Sequence, residues 1–296
     1  MATQQNRRSA IKNILAGTAA IGASGALSSF ANSPKQQMTD DKLKGNINHS
    51  VCRWCYADIP LDQLCASAKG MGIKAIDLVG PADWPTLQKY GLYSAMCNGA
   101  EINLTDGFGD KIYHEKLIKN YSDMIPLVAK AGYKNLICFS GSRREKTDEE
   151  GWSNCTEGLK KLTSLAEKHN VILVMELLNS KINHKDYQCD KTAWGVELVK
   201  RVGSENFKLL YDIYHMQIDE GDVIRTITDN HQYITHYHTG GIPGRNEIDE
   251  TQELYYPAVM KAILATGFKG YVAQEFIPKR ADKMASLKQG ILICDV

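Results

Sequence analysis

Four residues able to hold a metal or carry a proton, Glu176, Asp212, His238 and Glu275, each close a short apolar run. The runs read VILVME, FKLLYD, ITHYH and YVAQE, spread over the second half of the chain. Continuously apolar runs of this length are the pattern of parallel strands covered on both faces. The four side chains are then expected at one end of one sheet, the end where parallel α/β proteins bind ligands. Three carboxylates and an imidazole brought together form a site for one divalent cation. Hard oxygen donors with a single nitrogen favour Mg2+, Mn2+ or Co2+, with Zn2+ also compatible.

Each residue has an ordinary reading as well. Glu176 could pair with a buried Arg or Lys, because an uncompensated charge at a buried strand end is costly. Asp212 could simply cap the turn that follows it. In Ile234-Thr235-His236-Tyr237-His238-Thr239 the period of two puts His236 and His238 on one face and Tyr237 on the other. His238, nearer the strand end, is the expected ligand. His236 would lie one layer deeper, as a core histidine or a support for its neighbour. The coincidence of all four at the ends of strands five to eight favours a joint site over four separate explanations.

Two more residues point to the same place. His215, three positions after Asp212, is placed to hydrogen-bond a substrate oxygen. Arg245, in Pro243-Gly244-Arg245-Asn246-Glu247, offers a planar fork to a carboxylate or a pair of hydroxyls, although a surface salt bridge is the commoner fate of a loop arginine. A cation here would bind both oxygens of an α-hydroxy carbonyl and stabilise the enediolate formed when the carbon between them loses a proton. Glu176 and Glu275, flanking that carbon, could take a proton from one position and return one to its neighbour.

The elements that must position these groups announce themselves by a repeated phrase. Gly72-Ile73-Lys74-Ala75, Gly132-Tyr133-Lys134-Asn135 and Gly267-Phe268-Lys269-Gly270 each follow an amphipathic stretch and lead into an apolar run, with Gly91-Leu92 a looser copy. This is helix, left-handed glycine cap, short loop, buried strand; Asn170 before Val171 plays the glycine's part. Strands are predicted at Ser50–Cys55, Ala75–Val79, Ser94–Asn98, Asn135–Ser140, Ile172–Leu177, Lys208–Ile213, Ile234–His238 and Tyr271–Phe276. Helical spacing marks Leu117–Ala131, kinked at Pro126, and Leu159–His169, Trp194–Val202 and Pro257–Thr266. Eight apolar strands alternating with helices predict an α/β (β/α)8 TIM barrel, a single domain over residues 46–296. No G-x-G-x-x-G follows the first strand, which weighs against a dinucleotide fold. The long connections Asn179–Thr192 and Thr239–Leu254 would crown the ligand-binding face.

At 296 residues the chain is long enough for one such barrel, and 35 Lys and Arg stand against 34 Asp and Glu. Without a basic run to track phosphates, a nucleic-acid partner is not expected. Arg7-Arg8-Ser9-Ala10-Ile11-Lys12, a short small-residue apolar stretch and Ser29-Phe30-Ala31 read as a twin-arginine (Tat) export signal over residues 1–31, followed by a linker over 32–45. The expected destination is the periplasm, without a stable membrane span, since the apolar stretch is short and rich in Gly, Ala and Ser. A frayed basic terminus or an uncleaved anchor are the competing readings. The eight cysteines follow the leader and are scattered, so most are expected as small buried apolar side chains. Cys52-Arg53-Trp54-Cys55 has no second half to complete a zinc site, and within a strand its two thiols would face opposite ways.

Met175-Glu176-Leu177, Asp212-Ile213-Tyr214-His215-Met216-Gln217, Pro243-Gly244-Arg245 and Gln274-Glu275-Phe276 resemble the hydroxypyruvate isomerase family of the xylose-isomerase-like barrels, relatives of the ketose 3-epimerases. The resemblance spans roughly residues 46–280, and its most specific part is the Asp-x-x-His-Met-Gln segment. It implies that Glu176 and Glu275 are the proton-transfer pair, that Glu176, Asp212, His238 and Glu275 hold the metal, and that His215 and Arg245 contact substrate. Hydroxypyruvate isomerases tend to have Gln where His238 stands and ketose epimerases have His, whereas the Pro-Gly-Arg loop leans to the former. The expected function is isomerisation of a small hydroxy-carbonyl compound, such as hydroxypyruvate to tartronate semialdehyde. A ketose 3-epimerase or an inosose-dehydratase-like enzyme on the same site stands as the alternative, and a non-catalytic sugar-binding barrel lies further off. An abasic-site endonuclease on this fold is disfavoured by the even charge and the scarcity of strand-end histidines. Assembly into a homo-oligomer is left open.

Overall fold

The computed structural model describes residues 42–296, so residues 1–31, read above as an export signal, fall outside the described residues. Among the described residues, eight strands close into one barrel in chain order. They are β1 (Asn48–Cys52), β2 (Ala75–Val79), β3 (Tyr93–Cys97), β4 (Asn135–Cys138), β5 (Ile172–Glu176), β6 (Phe207–Asp212), β7 (Ile234–Thr239) and β8 (Tyr271–Gln274). β1 pairs in parallel with both β2 and β8, which completes the ring. The helices are α1 (Leu61–Gly70), α2 (Trp84–Tyr90), α3 (His114–Lys130), α4 (Asp148–His169), α5 (Thr192–Val202), α6 (Ile213–Asp219), α7 (Val223–Asn230), α8 (Tyr256–Ala265) and α9 (Lys283–Cys294). The predicted (β/α)8 barrel is the observed fold. β5 is buried at every residue, as a strand with side chains in the lumen and against helices must be.

The repeated phrase does what its glycines require. Gly72, Gly91, Gly132 and Gly267 all adopt positive φ, and Asn170 joins them at φ 52°. Each reverses the chain from a helix into the following strand. Helix α4 begins eleven residues earlier than its apolar spacing suggests. Gly151 and Gly158 interrupt the period, and a Cβ on Gly158 would stand 2.8 Å from the Phe108 ring. The start is fixed by a capping box instead: Thr147 Oγ1 accepts the Glu150 N–H at 3.2 Å, and the Glu150 carboxylate accepts the Thr147 N–H at 2.8 Å. Helix α3 runs unbroken through Pro126.

One predicted strand is corrected. β1 stops at Cys52, and Arg53–Tyr56 coil into a 3-10 turn rather than extending to Cys55. The opposite-face argument for Cys52 and Cys55 therefore does not apply; both are buried and free, as are the other six cysteines. No described helix is long and apolar enough to cross a membrane.

Thr147→Ala removes one half of the cap on the longest helix among the described residues. It should lower unfolding stability by about 1 kcal/mol, read as a shifted urea midpoint with an unchanged slope.

Candidate functional site

Glu176, Asp212, His238 and Glu275 meet at the C-terminal rim of the barrel, each with one ligand atom within 4.8 Å of the others. β5 and β6 end on Glu176 and Asp212. Glu275 lies one residue beyond β8, held in register because its N–H donates to the Thr239 carbonyl at 3.0 Å. His238 Nδ1 stands 3.0 Å from Glu275 Oε2 and 3.4 Å from Glu176 Oε1. Asp212 divides its oxygens between the two roles read for it. Oδ1 accepts the His215 N–H at 3.1 Å and caps α6, whereas the buried Oδ2 has no hydrogen-bond partner.

This donor set fits a divalent cation. Ligand atoms roughly 2.0–2.4 Å from one ion stand at most about 4–5 Å apart, the spacing found here, and an orphaned buried carboxylate oxygen faces the same point. The charges argue likewise. Burial raises the pKa of Glu176 and lifts that of Asp212 well above the usual carboxylate range, with Glu275 adding to both. Burial acts against Glu275 too, but His238 and Arg245 outweigh it and hold this carboxyl well below its ordinary value. Burial alone would lower His238, yet Cys52, Glu275 and Asp77 together push it well up. Three buried carboxylates this close cannot all ionise without added positive charge, and a bound cation would supply it.

Arg245 is not the surface ion pair that a loop arginine usually makes. The connection after β7 folds back through a Gly241–Asn246 bridge, and a Cβ on Gly241 would overlap the Glu247 carbonyl. Arg245, at φ 56°, turns its guanidinium inward. Its Nη2 donates to Glu275 Oε2 at 2.6 Å and lies 3.5 Å from Asp212 Oδ2. The guanidinium also sits over the rings of Trp54 and Tyr214, at 5.0 and 5.2 Å. His215 accepts the Asn179 amide N–H on Nδ1 at 2.5 Å, which places its proton on Nε2, an atom left without a partner. Burial, then Arg245, keeps this imidazole neutral. Asp212 Oδ2 stands 3.6 Å from its Nε2, outside hydrogen-bond distance.

Several residues of the site escaped the sequence reading. Trp54, on the 3-10 turn after β1, donates its indole N–H to Glu275 Oε1 at 2.7 Å. His184, on the loop after β5, packs edge-on against His215 at 5.1 Å. Asp77 reaches His236 from β2; a lone charge inside the run AIDLV was its available signal. Beside the glutamates opens a hollow of about 310 Å³ whose apolar walls are Trp54, Leu78, Leu104, Phe139 and Leu178.

Fold and site together define a parallel (β/α)8 barrel with a cluster of carboxylates and imidazole at its C-terminal rim. The family model for the xylose isomerase-like TIM barrel matches residues 85–292, and the chain belongs to that family. Hydroxypyruvate isomerase of Escherichia coli is 30% identical over 152 residues, 50% of this chain and 57% of that protein. D-psicose 3-epimerase of Ruminiclostridium cellulolyticum is 27% identical over 231 residues, 74% of this chain and 69% of that protein. The chain spans about half the length of the hydroxypyruvate isomerases it matches. The crystal structure of AP endonuclease, family 2, from Brucella melitensis superposes with a TM-score of 0.73 at 20% identity, covering 83% of this chain and 97% of that one, a likeness of fold.

If the four residues hold a cation, Mn2+ at a hundred times its dissociation constant should stabilise the protein by about 2.7 kcal/mol. The readout is a rise in Tm over chelated protein, and Asp212→Asn should abolish most of that rise.

Proposed function

We propose that the chain is a divalent-metal-dependent isomerase of a small hydroxy-carbonyl compound, working as hydroxypyruvate isomerase does between hydroxypyruvate and tartronate semialdehyde. The observation that carries this reading is the convergence of Glu176 and Glu275 on one point that also faces Asp212 and His238. Relatives that are isomerases and epimerases support the same class.

Glu176, Asp212, His238 and Glu275 would hold the cation, which when bound supplies Lewis-acid stabilisation of negative charge on two neighbouring substrate oxygens. Among the ions that fit, Mg2+, Mn2+ and Co2+ suit the oxygen-rich set best, with Zn2+ compatible. One glutamate takes the proton from the carbon bearing the hydroxyl. The electron pair left behind forms the carbon–carbon double bond of an enediolate. The second glutamate then delivers a proton to the former carbonyl carbon, and the hydroxyl proton passes to the other oxygen. Trp54 donates to Glu275 Oε1 and Arg245 to Oε2, so that carboxylate is held in one orientation. The free Nε2–H of His215 is available to a substrate oxygen. Arg245, part of whose guanidinium is unpaired at Nε, can take up a substrate carboxylate or hydroxyl.

A second reading, 3-epimerisation of a keto sugar, is favoured by the size of the hollow. About 310 Å³ is more than a three-carbon acid fills and suits a five- or six-carbon chain. The two outcomes share the proton transfer and differ in which face or carbon is reprotonated. A panel of three- to six-carbon hydroxy-carbonyl compounds, followed by NMR in D2O, separates them by product and by the carbon that acquires deuterium.

Glu176→Gln and Glu275→Gln should each lower turnover by about 10²–10⁴-fold, since each takes away a proton carrier. Near-normal turnover in Glu275→Gln would remove the two-glutamate mechanism. We further propose that the enzyme works outside the cytoplasm, a reading supported by Arg7-Arg8 and the apolar stretch after them. Lys at both arginines should leave the protein in the cytoplasmic fraction; unchanged periplasmic recovery would refute the export route.

A further inference from the structure

We propose that Asp77 is a positioning residue, whose carboxylate crosses the barrel lumen to brace the imidazole of His238 so that Nδ1 faces the cation site between the glutamates. The inference rests on the reading of His238 as a metal ligand.

β2 and β7 are not neighbours; β1 and β8 lie between them in the closed ring. Only a side chain directed through the lumen can join them. Asp77 Oδ2 accepts the His236 Nε2 proton at 2.5 Å and lies 3.4 Å from His238 Nε2. The two rings meet edge to face, centroids 5.2 Å apart, and Asp77, His236 and His238 are all fully buried. One carboxylate oxygen therefore addresses both histidines that the alternation of β7 sets on the inner face.

The two nitrogens of His238 look in opposite directions. Nδ1 faces Glu176 and Glu275; Nε2 faces Asp77 and the Cys52 sulfur, 3.7 Å away. An imidazole that gives its Nδ1 lone pair to a cation must keep its proton on Nε2, and an acceptor there fixes both tautomer and ring direction. The thiol is a weak acceptor and the carboxylate a strong one. His236 anchors that carboxylate from below, which gives this second histidine a role beyond filling the core.

The backbone of β2 bends to make this contact. Pairing with β3 slips on both sides of Asp77, and Leu78 adopts φ 58°, a left-handed conformation unfavourable for a branched side chain. The kink lets two successive residues serve the same end of the barrel: Asp77 enters the lumen and Leu78 walls the hollow beside the glutamates. Simple alternation would send one of them outward. A buried acid joined to two histidines is, moreover, a poor choice for stability alone, since apolar side chains of similar volume do as well or better. Asp77 Oδ1 and His236 Nδ1 have no hydrogen-bond partner, so the cluster is not a self-contained core network. Its directed feature is the oxygen shared by the two rings.

The test uses the full chain stripped of metal and titrated with Mn2+ by calorimetry and with Co2+ by visible absorption. Asp77→Asn, and Asp77→Leu as the apolar replacement, should bind Mn2+ about 10–100-fold more weakly than the parent. Their Co2+ ligand-field bands should shift in protein that circular dichroism shows to be folded, even though the unpaired His236 ring lowers the Tm of the metal-free variants. His236→Gln, which loosens the anchor but keeps the carboxylate, should fall between. Parental affinity and an unshifted Co2+ spectrum in folded Asp77→Asn would overturn the proposal. So would a second metal equivalent in the parent that Asp77→Asn loses, because the three residues would then be ligands themselves. A parent that binds neither ion would take down the metal-dependent reading and this inference together, whereas unchanged binding in the variants alone would leave the former standing.

Discussion

Three carboxylates buried within reach of one another are the constraint around which this barrel is arranged. Glu176, Asp212 and Glu275 repel one another in surroundings that screen little, and the structure sets the Arg245 guanidinium and the His238 imidazole against them. His238 faces two of them, and Arg245 touches one and approaches another. Asp212 keeps an oxygen without any hydrogen bond. A core selected for stability would not gather acids in this way. A bound cation would balance such an arrangement, and the hydrogen bonds from Trp54 and Arg245 keep Glu275 aimed.

The barrel makes the gathering possible with little local design. A parallel strand carries its last residues to the rim, and a closed ring turns the inward-facing ones toward a common centre. Glu176 and Asp212 need only be last in β5 and β6 and on their inner face. Glu275 needs one more ladder bond, from its N–H to Thr239, to hold a residue that has left β8. The connections then add what the strands cannot: Arg245 on a folded-back loop, His184 and Asn179 before α5, and Trp54 on the turn after β1.

This division explains what the sequence reveals. Strand ends are legible because buried runs stop at a charge, and left-handed caps are legible because Gly and Asn mark them. The four rim residues, with His215 and Arg245, could therefore be picked out before any coordinates, together with the barrel that joins them. Trp54 could not, since its place depends on β1 ending three residues early in a 3-10 turn, and nothing in SVCRWCY distinguishes that turn from more strand. The first half of α4 is obscured because Gly151 and Gly158 are used for close packing rather than for the apolar face. Asp77 stands out as a lone charge in AIDLV, but the slipped register that aims it is a tertiary property that a strand's own residues do not declare.

The apolar walls and the charged floor of the hollow are best understood as one device. Trp54, Leu78, Leu104, Phe139 and Leu178 offer few hydrogen bonds to a hydroxyl-rich ligand, so they are poor at recognising a sugar by its polar groups. They are well suited to keeping water away from Glu176 and Glu275 once a ligand is seated. With water excluded, each charge in the floor acts more strongly on its neighbours, and the repulsion among the acids grows with the attraction to any cation they share. An apolar lining thus sharpens the need for a counter-charge and raises the acids' hold on it. The polar groups that line the hollow are few, His184 and Arg245 beside the two glutamates, so any hydrogen bonding to a ligand there must come from them or from groups just behind them.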